Sequence, residues 1–233
     1  TICSVDLGIN TDAVCTIMRP DGTILGRKFI NFPSDKDRMY RVLGRIRRFQ
    51  REHGSRQVQG RWAYAKRLNT ELGKKIAREI VFYASENRAD VIVFEYLEMK
   101  GKLSGKKKQK LQMWRKRDIQ KRCGQQAHRK GIRISRICAW NTSRLAFDGS
   151  GKIDRDIQDH RLCTFQNGKR YNCDLSASYN IGARYFIREI LKPLPATERS
   201  LLEAKVPAVK RRTSCVYADL RDLISEMELR KAA

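Results

Sequence analysis

At 233 residues and 41% hydrophobic side chains, the chain is long enough to bury one substantial core and a small insert. Its 50 Lys and Arg against 25 Asp and Glu give a net charge of +25, a field that draws polyanions and makes nucleic acid the expected partner class. No run approaches the roughly 18 apolar residues of a spanning helix and no signal peptide opens the chain, so a membrane partner is excluded and a cytosolic location is expected.

Residues Ile2 to Asn10 and Ala13 to Met18 are rich in Val, Ile, Cys and Thr, and Arg19-Pro20-Asp21-Gly22 supplies a turn before a third run, Thr23 to Ile30. This pattern predicts a β-meander. Ser34 and Asp37 then form a capping-box-like start, after which Met39, Val42, Leu43, Ile46 and Phe49 recur at helical spacing to an end near Gly54. A second helical pattern, Trp62 to Ala84, runs through Ala65, Leu68 or Asn69, Leu72, Ile76, Ile80 and Tyr83. The polar faces of this pair, within residues 35–86, carry Arg41, Arg45, Arg48, Arg51, Lys66, Lys74, Lys75 and Arg78. Each such charge alone reads as a solvated helix surface; so dense a set with few balancing acids points to phosphate contacts.

Val91 to Phe94 is short and apolar, as in a buried strand following a helix in a βα alternation. Lys100 to Lys110 reads as a Lys- and Gly-rich loop, Leu111 to Arg129 as a helix offering Trp114 and Cys123 for packing, and Ile132 to Cys138 as a further strand after Gly131. Residues 141–173, polar and Gly-containing, read as an insert of hairpins and loops. A helix from Asp174 through Ile187 then presents Leu175, Ala177, Ser178, Ile181 and Tyr185 inward, with small residues that admit close approach to a sheet. Pro193 and Pro195 close the first unit, residues 1–192, and leave a tail, 193–233. The tail is expected to hold one amphipathic helix, capped by Thr213 or Ser214 and carrying Leu220, Leu223, Ile224 and Met227. Seven cysteines, an odd number with Cys3, Cys15 and Cys138 inside apolar patterns, argue against a disulfide framework. The chain opens on Thr1 and enters a strand at once, so a preceding N-terminal portion is expected.

Three acids stand out. Asp6 ends an apolar strand, Glu95 closes Val91-Ile92-Val93-Phe94, and Asp174 opens a helix. Taken singly, each has a bland reading: a local hydrogen-bond acceptor, a partner for one of many arginines, a helix N-cap. Together they are carboxylates from separate elements, which is what two Mg²⁺ ~4 Å apart require in phosphodiester hydrolysis. The helix dipole is expected to keep Asp174 ionised, and Gly8 to let a substrate backbone or metal-bound water approach.

Val5-Asp6-Leu7-Gly8-Ile9-Asn10, Ile92-Val93-Phe94-Glu95-Tyr96-Leu97 and Asp174-Leu175-Ser176-Ala177-Ser178-Tyr179-Asn180-Ile181 resemble the three RuvC motifs of the TnpB family, prokaryotic transposon-encoded RNA-guided DNA nucleases related to type V CRISPR effectors. The resemblance covers about residues 1 to 190. It implies an RNase H-like α/β fold, a mixed sheet flanked by helices, with Asp6, Glu95 and Asp174 as Mg²⁺-binding catalytic acids, a guide RNA and target DNA as partners, and an N-terminal portion that holds the guided duplex. The family's insert is a zinc ribbon. Here Asn141-Thr142-Ser143 is in place, but Leu145-Ala146-Phe147-Asp148-Gly149 replaces the first Cys knuckle and only Cys163 and Cys173 remain near the second, so four tetrahedral ligands are not supplied and zinc is not expected. His160 and Cys138 are the residues that would have to complete an irregular site. The expected alternative is a hairpin module filled by Phe147, Phe165 and Tyr171, or, more sharply, one whose rings stack on bases. The leading expectation is a guided DNA endonuclease; the competitors are a guided DNA-binding protein that does not cut, and a transposase or resolvase on the same fold.

Overall fold

The structure, a computed structural model, describes residues 1–9, 11–54, 58–96, 116–211 and 213–232. Strand β1 (Ile2–Asp6) pairs antiparallel with β2 (Ala13–Met18), Ile2 opposite Met18 and Asp6 opposite Val14. Strand β3 (Ile24–Ile30) continues the meander against β2, with a register shift at Ile17/Met18. On its other side β1 pairs in parallel with β4 (Val91–Tyr96), and β4 in parallel with β5 (Arg133–Cys138), giving the order β3-β2-β1-β4-β5. A parallel β1–β4 pair needs a crossover, and helices α1 (Pro33–His53) and α2 (Gln59–Glu86) form it.

Alternation along the central strands feeds two cores. Cys3, Val5, Ile92 and Phe94 pack against Ile76 and Ile80 of α2 and Cys123 and Ala127 of α3 (Lys116–His128). Ile2, Met18, Val91 and Val93 pack on the opposite face against Ile181, Phe186, Ile187 and Leu191 of α4 (Cys173–Leu191). Because both faces of the central strands are covered, they read as continuous apolar runs. Helix α1 rests on α2 through Met39, Ile46 and Ala65, with Val42, Leu43, Trp62 and Leu68 around them.

Several local expectations change. The capping box at Ser34 and Asp37 does not form: Phe32 is the N-cap, without a side-chain cap bond. Pro33 at the first turn removes one orphan donor, and Asp12, from the start of the β2 segment, accepts the Phe32 N–H at 2.8 Å and pairs with Lys36 at 3.0 Å. A long-range carboxylate has taken the job of a local one. The expected loop Lys100–Lys110 and the Leu111–Arg115 part of the next helix, Trp114 included, lie outside the described residues.

The insert contains a three-stranded antiparallel sheet, β6 (Asp154–Arg155), β7 (Leu162–Thr164) and β8 (Arg170–Asn172), in that order. Phe147, Phe165 and Tyr171 do fill it, with ring centroids 5.0 to 5.8 Å apart, spacings that favour edge and tilted aromatic contacts. Cys163 and Cys173 are buried in the same cluster.

Helix α4 is buried nearly all round, from Leu175 through Ile187. Its approach to the sheet is as close as its small residues suggest: a Cβ on Gly182 would lie 2.8 Å from Met18 Cε and 3.2 Å from Ser4 Oγ. A helix with no wet face must be covered on its outer side as well, and the tail does this. It forms two helices where one was expected, α5 (Ala196–Lys205) and α6 (Tyr217–Ala232), joined through a 3₁₀ turn at Pro207–Lys210. Leu202, Val209, Leu220 and Leu223 join the α4 core, each apolar side chain contributing about 1.5–3 kcal/mol when fully buried. Thr213 and Ser214 do not cap α6. Asp219 accepts the Val216 N–H at 2.7 Å and Asn180 of α4 accepts the Tyr217 N–H at 3.1 Å. Among the described residues no helix is long and apolar enough to cross a membrane.

Candidate active site

Asp6 is the last residue of β1, and Glu95 lies one rung beyond the Val5–Phe94 pair of the adjacent parallel strand. Ile2 and the Ser4 hydroxyl face α4, as do Val91 and Val93, so the period of two puts Asp6 and Glu95 on that face too. Both are only 8% exposed. They sit at the carboxyl ends of parallel strands, where open α/β sheets place their ligands. Asp174 occupies the first turn of α4, whose N-cap is Asn172, its side chain accepting the Leu175 N–H at 2.9 Å. Asp174 is therefore free of capping duty.

Asp6 feels both of the other carboxylates. Burial, then Glu95, then Asp174 push the Asp6 carboxyl well above its usual range, against a smaller pull from Lys116 and Arg155. Burial also raises Glu95, opposed by the Thr142 hydroxyl, Lys116 and Arg184. Burial raises Asp174 as well, opposed by the Thr11 hydroxyl, Arg155 and Arg161. For Asp174, partial burial outweighs the pull of the Thr11 hydroxyl and the two arginines. Lys116, at the start of α3, is pushed down to about 8 by its own burial, although Glu95 and Asp6 favour its charge.

Glu95 and Asp174 are held from outside their own elements, Asp174 by the Thr11 hydroxyl. The Thr142 hydroxyl donates to Glu95, and Gln120 Nε2 donates to the Glu95 carbonyl at 2.9 Å. Asn180 fixes Thr142 in turn, its Nδ2 donating to the carbonyls of Thr142 at 3.0 Å and Leu145 at 2.9 Å. Gly8 has a use within the fold itself. A Cβ there would meet the Thr11 carbonyl oxygen at 2.4 Å and Asp174 Oδ2 at 3.7 Å. The missing side chain lets the β1–β2 turn fold back over Asp174, so the space is filled by the protein's own backbone.

An anionic, oxygen-only donor set suits a hard divalent cation, and the mutual repulsion at Asp6 is what such a cation would reverse. Among the described residues, no three His, Cys, Asp or Glu side chains close around a single point. The carboxylates stand within electrostatic reach rather than in a finished ligand shell.

All eight basic residues expected on α1 and α2 are exposed. Lys74 and Lys75 already pair with Glu71 and Asp35, each at 2.7 Å, exposed bridges weak enough for a phosphate to displace. Arg48 and Arg51 line a groove on α1 with Tyr40, Gly44, Arg47 and Gln50. Residues at the acidic centre that sequence reading missed are Thr11, Lys116, Thr142, Arg155 and Arg184. Only Thr142 carried a signal, inside Asn141-Thr142-Ser143; the basic residues are indistinguishable from their many like-charged neighbours until the chain is folded.

Neither a protein-family model nor a curated protein matches the sequence. Solved structures do. The cryo-EM structure of a Cas12f1–sgRNA–target DNA complex superposes with a TM-score of 0.60 and 19% identity, over 77% of this chain and 49% of that one. A cryo-EM structure of a CRISPR-Cas12f ternary complex gives 0.54 and 17%, over 77% of this chain and 38% of that one. A Thermus thermophilus RuvC structure overlaps at 0.31 and 11%, over 99% and 96% of the two chains, too loosely to carry weight. This chain spans half or less of the Cas12f chains' length. At such identities the likeness establishes architecture: an RNase H-like α/β fold, a mixed sheet flanked by helices, shared with a type V CRISPR effector.

Proposed function

We propose that this chain is the cutting part of an RNA-guided DNA endonuclease of the TnpB and type V effector kind. The observation that supports the proposal is the placing of Asp6 and Glu95 side by side at the ends of two parallel strands, with Asp174 at a helix terminus close enough for both other acids to raise the Asp6 carboxyl. Asp6, Glu95 and Asp174 would hold two Mg²⁺, which supply an activated water and stabilise the leaving oxygen. Thr142 orients Glu95, Thr11 orients Asp174, and Arg155 and Lys116 add positive charge where a scissile phosphate has to approach three anions. Arg41, Arg45, Arg48, Arg51, Lys66, Lys74, Lys75 and Arg78 bind the phosphates of guide RNA or target DNA. Sequence choice then rests on guide pairing and needs no base-reading motif in this chain. The similar Cas12f1 structure is a complex with sgRNA and target DNA, which supports the same partners here.

The test uses the protein assembled with the RNA that copurifies with it. Asp6→Ala and Glu95→Ala are expected to abolish Mg²⁺-dependent cleavage and to keep RNA binding; cleavage surviving both substitutions refutes the catalytic assignment. Arg48→Gln with Arg51→Gln is expected to lower the salt slope of nucleic-acid binding by about 0.7–0.9 for each phosphate that the protein no longer neutralises. A second reading, a guided DNA-binding protein that does not cut, draws on the open arrangement of the acids. Intact DNA after prolonged incubation of the guided complex with Mg²⁺ would favour it.

A further inference from the structure

We propose that Trp140 is the stacking platform for an unpaired base of the strand being cut. The inference rests on the catalytic reading of Asp6, Glu95 and Asp174. Trp140 is the second residue beyond β5, whose Cys138 pairs with Tyr96, the neighbour of Glu95. Its side chain is 66% exposed, and Tyr96 is 56% exposed. Among the described residues Trp140 joins none of the apolar clusters, and no ring or cation lies against it.

The backbone that bears this exposed ring is held rigidly. Buried Arg184 donates through Nη1 to the carbonyls of Trp140 at 2.7 Å and Cys138 at 2.9 Å, and through Nε to Cys215 at 2.8 Å. Asn141 adopts a left-handed conformation, φ 58°, and its carbonyl accepts the Arg144 and Leu145 N–H groups, each at 3.1 Å. Thr142 then bonds Glu95, and Asn180 holds the Thr142 carbonyl. One residue, Asn141, therefore separates Trp140 from the threonine whose hydroxyl positions a candidate metal ligand. Burying a guanidinium is costly; the Nε and Nη1 bonds offset part of that cost while Nη2 is buried without a partner among the described residues, and they fix a turn whose large apolar side chain is left in water. A fixed aromatic loses little freedom on binding. Every base offers it a π-face, but in a duplex that face is covered by the neighbouring pairs. Arg155 donates to the Ser143 carbonyl at 3.1 Å and lies within electrostatic reach of Asp6 and Asp174.

The test compares native protein, Trp140→Ala and Trp140→Phe, each with its copurified RNA. Binding of fluorescent single-stranded and duplex oligonucleotides is measured in Ca²⁺, and KM and kcat for single strands in Mg²⁺. Trp140→Ala is expected to weaken single-strand binding and raise KM by about 5- to 150-fold, to leave duplex binding and melting temperature unchanged, and to recover most affinity as Trp140→Phe. An abasic residue at one position of the strand should reproduce the loss in native protein and add nothing in Trp140→Ala. Unchanged single-strand affinity and KM in Trp140→Ala, or equal loss on duplex, overturns the proposal. Asp6→Ala, measured alongside, separates the two readings: if it still cleaves, the catalytic assignment fails, whereas lost cleavage with no Trp140 effect removes the stacking role alone.

Discussion

Asp6→Asn tests the charge logic of the acidic centre directly. Burial, Glu95 and Asp174, in that order, raise the Asp6 carboxyl well above its ordinary range. The folded chain therefore holds this proton more tightly than the unfolded chain, so stability falls as pH rises from the unfolded value through the raised folded one and stays lower above it. Each unit of that displacement costs about 1.4 kcal/mol above the window, and in a chain of this size 1 kcal/mol is about 2–4 °C of Tm. The neutral, isosteric amide is free of the penalty. In chelator at about pH 8 it should melt about 3–6 °C higher for each such unit, and the difference should vanish below the ordinary carboxyl range. A divalent cation reverses the effect: at a hundred times its Kd it adds about 2.7 kcal/mol to the native chain, about 5–11 °C, and far less to the amide. Scanning calorimetry across pH, in chelator and in graded MgCl₂, reads both. An amide that melts at or below the native protein in chelator, or that keeps the full magnesium shift, refutes the reasoning.

Thr142→Val removes the hydroxyl that Glu95 accepts and should cost about 1.5–3 kcal/mol, the worth of a hydrogen bond to a charged group, with weaker Mg²⁺ stabilisation in the same calorimeter. Gly182→Val forces a branched side chain into the space of Met18 and Ser4. A loss of about 1–3 kcal/mol is expected from overpacking, seen as a lower urea midpoint at unchanged m. Leu223→Ala, at a fully buried position of α6, should cost about 2–5 kcal/mol; a urea midpoint equal to the native one would show that the tail is not part of the core it covers in this structure.

The fold was legible wherever a signal is local. The Val-, Ile-, Cys- and Thr-rich runs of β1 and β2 bounded by a turn, the 3.6-residue patterns of α1 and α2, and the apolar run of β4 each mark their element without help from the rest of the chain. Asp6, Glu95 and Asp174 could be picked out because a carboxylate at the end of an apolar strand or the start of a helix contrasts with its immediate neighbours. What brings them together could not be picked out: Asp6 and Glu95 share a face only because β1 and β4 pair in parallel in one register.

The supports were equally hidden. Thr142 reaches Glu95 across 47 positions, Arg184 reaches Trp140 across 44, and Tyr217 reaches Gly22 across 195. Asp12 displaced a plausible local cap, and α6 turned out to be one wall of the core around α4. Amino-acid order by itself determined the periodic elements, the excess of positive charge and the identity of three acids. Which groups meet, which acids become costly to ionise and which surfaces lose water were decided by tertiary structure alone, because hydrogen bonding and desolvation depend on distance in space and not on separation along the chain.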